Sequence, residues 1–150
     1  MTDRTIAEQA DLLSRRRARM LPIVALLYVS QQASFFSSVH GSPDRAVDHV
    51  KLGAWVMLSL VMLAALTTKG FWLKSRAVRD MVDDETTRAH RGDAMGWGFV
   101  VSTLAGIALY FVAMIEPMGA REAIHVIVSL GLAAALIRFG MLERRALRDV

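Results

Sequence analysis

Polar and apolar positions along this chain separate into long blocks. Four blocks are apolar: MLPIVALLYVSQQASFF (20–36), LGAWVMLSLVMLAALTT (52–68), AMGWGFVVSTLAGIALYFVAMI (94–115) and AIHVIVSLGLAAALIRF (123–139). At about 1.5 Å per residue, a helix of roughly 20 residues crosses a hydrocarbon layer of about 30 Å. Lipid offers no partner to a free backbone N–H or C=O, so a helix, which satisfies its own, is the element such a block predicts. A soluble bundle of the same length would show polar residues on one face every three or four positions. Between Val56 and Leu66 only Ser59 breaks the run, and between Phe99 and Ile115 only Ser102, Thr103 and Tyr110 do. The pattern predicts an all-α fold: one integral membrane four-helix bundle that takes in residues 1–150 as a single domain.

The first block is the weakest, because Gln31 and Gln32 interrupt it. Arg15 to Arg19 ahead of it resemble the charged region of a signal peptide, but no small-residue cleavage pattern follows, so the block reads as a retained span. Pro22 is expected in the first turn of that helix, where its missing N–H costs nothing, and Pro117 just past the third block helps to end it. The amino tail, TDRTIAEQADLLSRRRARM, reads as a short helix with Ile6, Ala10 and Leu13 on one face.

The charges between the blocks set an orientation. The amino tail carries five Lys or Arg, the 69–93 connection six and the segment from Arg138 four; the opposite connections hold Arg45, Lys51 and Arg121 alone. Positive residues near span ends stay on the cytoplasmic side, so both termini and the 69–93 connection are expected there. With Arg outnumbering Lys fifteen to three, a bias of GC-rich bacterial genomes, the expected location is a bacterial inner membrane, crossed several times. The basic excess is spread between apolar blocks and not gathered on one face, which argues against direct nucleic-acid binding. The chain has no cysteine, which excludes disulfides, thiol catalysis and iron–sulfur clusters.

The 69–93 connection has its own pattern. From Phe71 to Arg91 it holds neither Pro nor Gly, and Trp72, Leu73, Arg76, Val78, Met81 and Val82 are spaced for a helical extension of the second span. Asp83 and Asp84 fit as caps or first-turn acids of a helix running from Glu85 into the third span. Small residues recur four apart at Ser30 and Ser34, Gly92 and Gly96, Ser102 and Gly106, and Gly131 and Ala135, a spacing that lets helices approach closely within one chain or across a homodimer. Trp55, Trp72 and Trp97 read as interfacial anchors.

Candidate chemistry is sparse. A costly ionisable group inside a membrane is a functional candidate, and His125, about one turn into the fourth block, is the one convincing case. Glu116 and Glu122 border the outer interface; the three could hold a cation or relay protons, but the favoured reading is that they reach solvated headgroups. One histidine at that depth does not supply the axial pair a bis-histidine haem needs, so no cofactor is expected. The connection HGSPDRAVDH has the ligand types of a metal site in His40, Asp44, Asp48 and His49, a composition shared by ordinary polar loops, and no metal is assigned. Small multidrug-resistance transporters require a carboxylate in the first span, where this chain has Gln31 and Gln32. No serine elbow, phosphate-binding glycine loop or zinc-protease helix is present, so no enzyme is expected.

Ahead of the third block, DDETTRAHRGDA resembles a stretch of the form Asp-Glu-x-x-Arg found in small uncharacterised four-span bacterial inner-membrane proteins, matched by Asp84, Glu85 and Arg88. The resemblance implies a role beside a transcription regulator. The expectation is a non-enzymatic protein that touches membrane lipids and binds a partner protein through its cytoplasmic face, as a tethered regulator or accessory subunit, with Arg79, Asp83, Asp84, Glu85, Arg88 and Arg91 as contacts. The alternative is a small oligomeric transporter or channel component whose polar path uses Gln31, Gln32, Ser34 and His125.

Overall fold

The computed structural model describes residues 6–38, 46–67 and 85–148, and among them all regular structure is helical. α1 spans Ile6–Ser38, α2 Ala46–Thr67, α3 Glu85–Ala113 and α4 Ala120–Ala146. Each apolar block lies in one of these helices as far as it is described, with Met114 and Ile115 of the third just beyond α3. Among the described residues three helices are long and apolar enough to cross a membrane: His49–Thr67 in α2, all of α3 and all of α4.

α3 begins at Glu85, whose charge sits in the first turn where the backbone N–H groups point. The expected caps Asp83 and Asp84, Arg79, and the proposed extension through Trp72 to Val82 lie outside the described residues. α3 ends at Ala113, four residues before Pro117. Glu122 accepts from the Gly119 backbone N–H at 3.2 Å and thereby caps the start of α4.

α4 is the hub. It packs most extensively on α3, next on α1 and lightly on α2, whereas α1 and α2 barely touch. The reason is in its small side chains. A Cβ on Gly98 of α3 would stand 2.8 Å from the Gly131 carbonyl oxygen and 2.9 Å from the Ala135 Cβ, and a Cβ on Gly131 would stand 1.9 Å from Ser102 Oγ. Gly131 and Ala135 are thus used as their spacing predicts, against Gly98 and Ser102. Gly92 and Gly96 make no such approach within the chain: both are exposed, with nothing within 4 Å of an added Cβ. In lipid such close approach matters because dispersion, not water exclusion, holds apolar helices together. Ala25, Leu66, Ala94, Ala135, Leu136 and Phe139 form the buried apolar core.

Pro22 departs from its expected place. α1 starts at Ile6 and continues without a break into the apolar block, so Pro22 is inside the helix and not in its first turn. An interior proline deprives the carbonyl four residues earlier, that of Ala18, of its usual N–H. Arg144 of α4 replaces it: Nε donates to the Ala18 oxygen at 3.0 Å, and Nη2 donates to the Arg19 oxygen at 3.3 Å. Gly140 leaves room for the proline ring, which would lie 2.8 Å from an added Cβ there.

Candidate functional site

Among the described residues two polar clusters stand out, one at the arginine-rich end and one deeper among the helices.

At the arginine-rich end, α1, α3 and α4 meet around Glu143. Arg17 of α1 pairs with Glu143 Oε2, and their side chains are 10% and 7% exposed. Arg17 Nη2 also donates to Thr87 Oγ1 of α3 at 3.3 Å. His90 Nδ1, one turn further along α3, lies 3.2 Å from Glu143 Oε1. The Arg17 guanidinium sits 5.3 Å from the centre of the Phe139 ring, a cation–π arrangement. A carboxylate this buried is tolerated because both its oxygens have partners. A second link joins α3 to α4: Arg138 Nε donates to Asp93 Oδ2 at 2.7 Å, and its guanidinium lies 5.6 Å from the Trp97 ring centre.

Around this junction the expected partner-contact residues divide. Glu85 and Arg88 are exposed on the first turns of α3, and Arg91 is half-buried. Arg79, Asp83 and Asp84 lie outside the described residues. Arg17, Thr87, His90 and Glu143 went unrecognised in the sequence. Glu143 stands in LERRALRD, which reads as a solvated tail, and its partner Arg17 is 126 positions away.

The deeper cluster joins α1, α2 and α4. Tyr28 Oη is 2.8 Å from Ser59 Oγ and donates to Ser129 Oγ at 3.4 Å. Trp55 Nε1 donates to the same Ser129 oxygen at 3.1 Å. The indole stacks on His125, ring centres 4.3 Å apart. His125 Nε2 pairs with Gln32 Oε1, and Gln32 Nε2 donates to the Tyr28 carbonyl oxygen at 3.0 Å. Tyr28, Gln32, Ser59, His125 and Ser129 are all buried.

Of the residues expected to form an intramembrane or interfacial site, Gln32 and His125 come together. Gln31 is exposed and faces away from Gln32, Glu116 is exposed beyond the end of α3, and Glu122 is spent on capping α4. Trp55 is half-buried, with its ring stacked on His125 and its N–H on Ser129, both between helices. Trp97 remains exposed, and Trp72 lies outside the described residues. Among the described residues no three His, Asp or Glu side chains gather as a metal site. Of the outer-connection set, His49 is exposed, the side chain of Asp48 is outside the description, and so are His40 and Asp44.

Chemically the deeper cluster acts as a fastener. An indole N–H donates and cannot accept, and the indole meets His125 by stacking. Trp55 thus links the hydroxyls to His125 by one donated N–H and one stacked face. The sequence missed Tyr28, Ser59 and Ser129 because each is a lone polar residue in an apolar run, and only the packing of three helices brings them together.

Comparison of the chain with protein-family models, with curated proteins and with solved structures finds no match.

Proposed function

We propose that this is a non-enzymatic bacterial inner-membrane protein whose four helices cross the bilayer, with both termini and the 69–93 connection in the cytoplasm. Its cytoplasmic end binds a partner protein, as a membrane-tethered regulator or an accessory subunit. Three helices of spanning length and the distribution of fifteen Lys and Arg against three support the membrane placement. The resemblance around Asp84, Glu85 and Arg88 points the same way.

The observation that carries the reading is the Glu143 junction. It ties α1, α3 and α4 at the arginine-rich end and leaves Glu85 and Arg88 exposed on an ordered helical turn. Charges on a fixed scaffold set partner choice and association rate at little ordering cost. The test is affinity purification of the tagged protein from native membranes in mild detergent, repeated with Glu85→Lys and Arg88→Glu combined. A stoichiometric partner present with the native chain and lost from the variant supports the reading; a partner retained by the variant contradicts the assigned face.

The second reading, a small oligomeric transport component, draws on the buried Gln32–His125 pair. Its basis is narrower, since Gln31 faces away and Gln32 also bonds its own helix. A pure homo-oligomer with no partner would favour it.

A further inference from the structure

At the arginine-rich end a cleft opens between α1 and α2, which barely touch. It encloses about 240 Å³. Arg16, Met20 and Val24 follow at four-residue spacing along one stripe of α1, Leu21 stands beside them, Ala65 of α2 faces them, and Phe139 of α4 lies behind; all line the cleft. Its walls are apolar and its charged groups come from one end only. Arg17, the other arginine there, is committed to Glu143 and Thr87. Arg16 is exposed and, among the described residues, makes no hydrogen bond or ion pair. Its neighbour Arg15 is paired with Asp11.

We infer that this cleft holds an anionic phospholipid of the cytoplasmic leaflet, one acyl chain lying along Met20, Val24 and Ala65 and the phosphate on the Arg16 guanidinium. The inference rests on the membrane orientation proposed above. Charge selects the headgroup, because a guanidinium meets a phosphate through two parallel N–H···O bonds. Depth agrees as well, since Arg16 precedes the apolar block by one turn, where a headgroup phosphate lies.

The test uses the full chain, purified in mild detergent, stripped of lipid and titrated with phosphatidylglycerol or phosphatidylcholine of the same chains while bound lipid is counted by native mass spectrometry. The expected result is one phosphatidylglycerol held in preference to phosphatidylcholine and not displaced by millimolar inorganic phosphate. Arg16→Gln should weaken it roughly five-fold, the effect of one charge near an anionic surface, and Arg16→Lys should weaken it less. Val24→Trp, which fills the cleft, should lower binding of both lipids, and Arg15→Gln should leave binding as in the native chain. Equal binding of the two lipids, native-like binding by Arg16→Gln, or a dimer that excludes lipid would overturn the site. Alkaline carbonate washing of native membranes separates the two levels: a chain that stays in the pellet yet shows no lipid preference fails only this inference, and a chain released to the supernatant overturns the membrane reading with it.

Discussion

Arg144 donates from Nε to the Ala18 carbonyl oxygen at 3.0 Å, on the one carbonyl that Pro22 leaves without an intrahelical partner. The arginine and the proline are on different helices, and each makes sense only beside the other. Ala18 is 1% exposed, so water cannot serve its oxygen instead.

Arg144→Met is therefore expected to destabilise the folded protein by about 1–3 kcal/mol, the cost of a buried acceptor left unmade. In a Pro22→Ala background, which restores the N–H at position 22, the same change should cost much less. A double-mutant cycle from denaturant titrations in detergent measures the difference, and additive effects would show that the two residues act independently.

Glu143 makes a sharper case. Removing one member of a buried ion pair strands the other charge, at about 3–5 kcal/mol, whereas replacing both with apolar groups of similar size costs far less. Glu143→Leu alone should lower the unfolding midpoint strongly, and Arg17→Met with Glu143→Leu should recover most of the loss. Thermal unfolding of the three proteins in one detergent reads the order directly.

Among the glycines, the outcome should divide by contact and not by spacing. Gly98→Leu forces α3 off the Gly131 backbone and is expected to cost several kcal/mol, on the scale of other overpacked interfaces at about 1–3 or more. Gly92→Ala and Gly96→Ala meet open space and should be neutral or gain up to about 1 kcal/mol from helix propensity. The check is folded fraction against denaturant for each single variant.

The deeper cluster predicts a smaller effect. His125→Phe keeps a ring against Trp55 and deprives Gln32 Oε1 of its partner, so a loss of about 1 kcal/mol is expected, in line with polar contacts between membrane helices. A loss below the error of a denaturant titration would mean that Gln32 finds another partner at no cost.

These results mark what one-dimensional pattern reveals. The helices were legible because uninterrupted apolar runs such as 94–115 carry their own length, and the start of α3 was legible because Glu85 announces a helix N-terminus locally. Pro22 was misread for the opposite reason. Arg15 to Arg19 look like the end of a charged tail, whereas α1 runs through them with Arg17 paired to Glu143, 126 positions on, and Arg144 on the Ala18 and Arg19 carbonyls. Spacing found Gly131 and Ala135 but also Gly92 and Gly96, since a four-residue repeat does not say which face meets a neighbour. His125 and Gln32 were singled out as costly in an apolar block; Tyr28, Ser59 and Ser129 are cheap singly, and their role exists only in three dimensions.

The central claim is that the Glu143 junction lies on the cytoplasmic side of a membrane that the helices cross. The chain contains no cysteine, so single substitutions report cleanly. Glu85→Cys, at the start of α3, and Glu116→Cys, just beyond its other end, both at exposed positions, would each be exposed to a membrane-impermeant maleimide in intact cells and again after the inner membrane is opened. The account predicts that the cysteine at 116 reacts in intact cells and the one at 85 only after opening. Reaction of both in intact cells, protection of both, or the reverse order would contradict it.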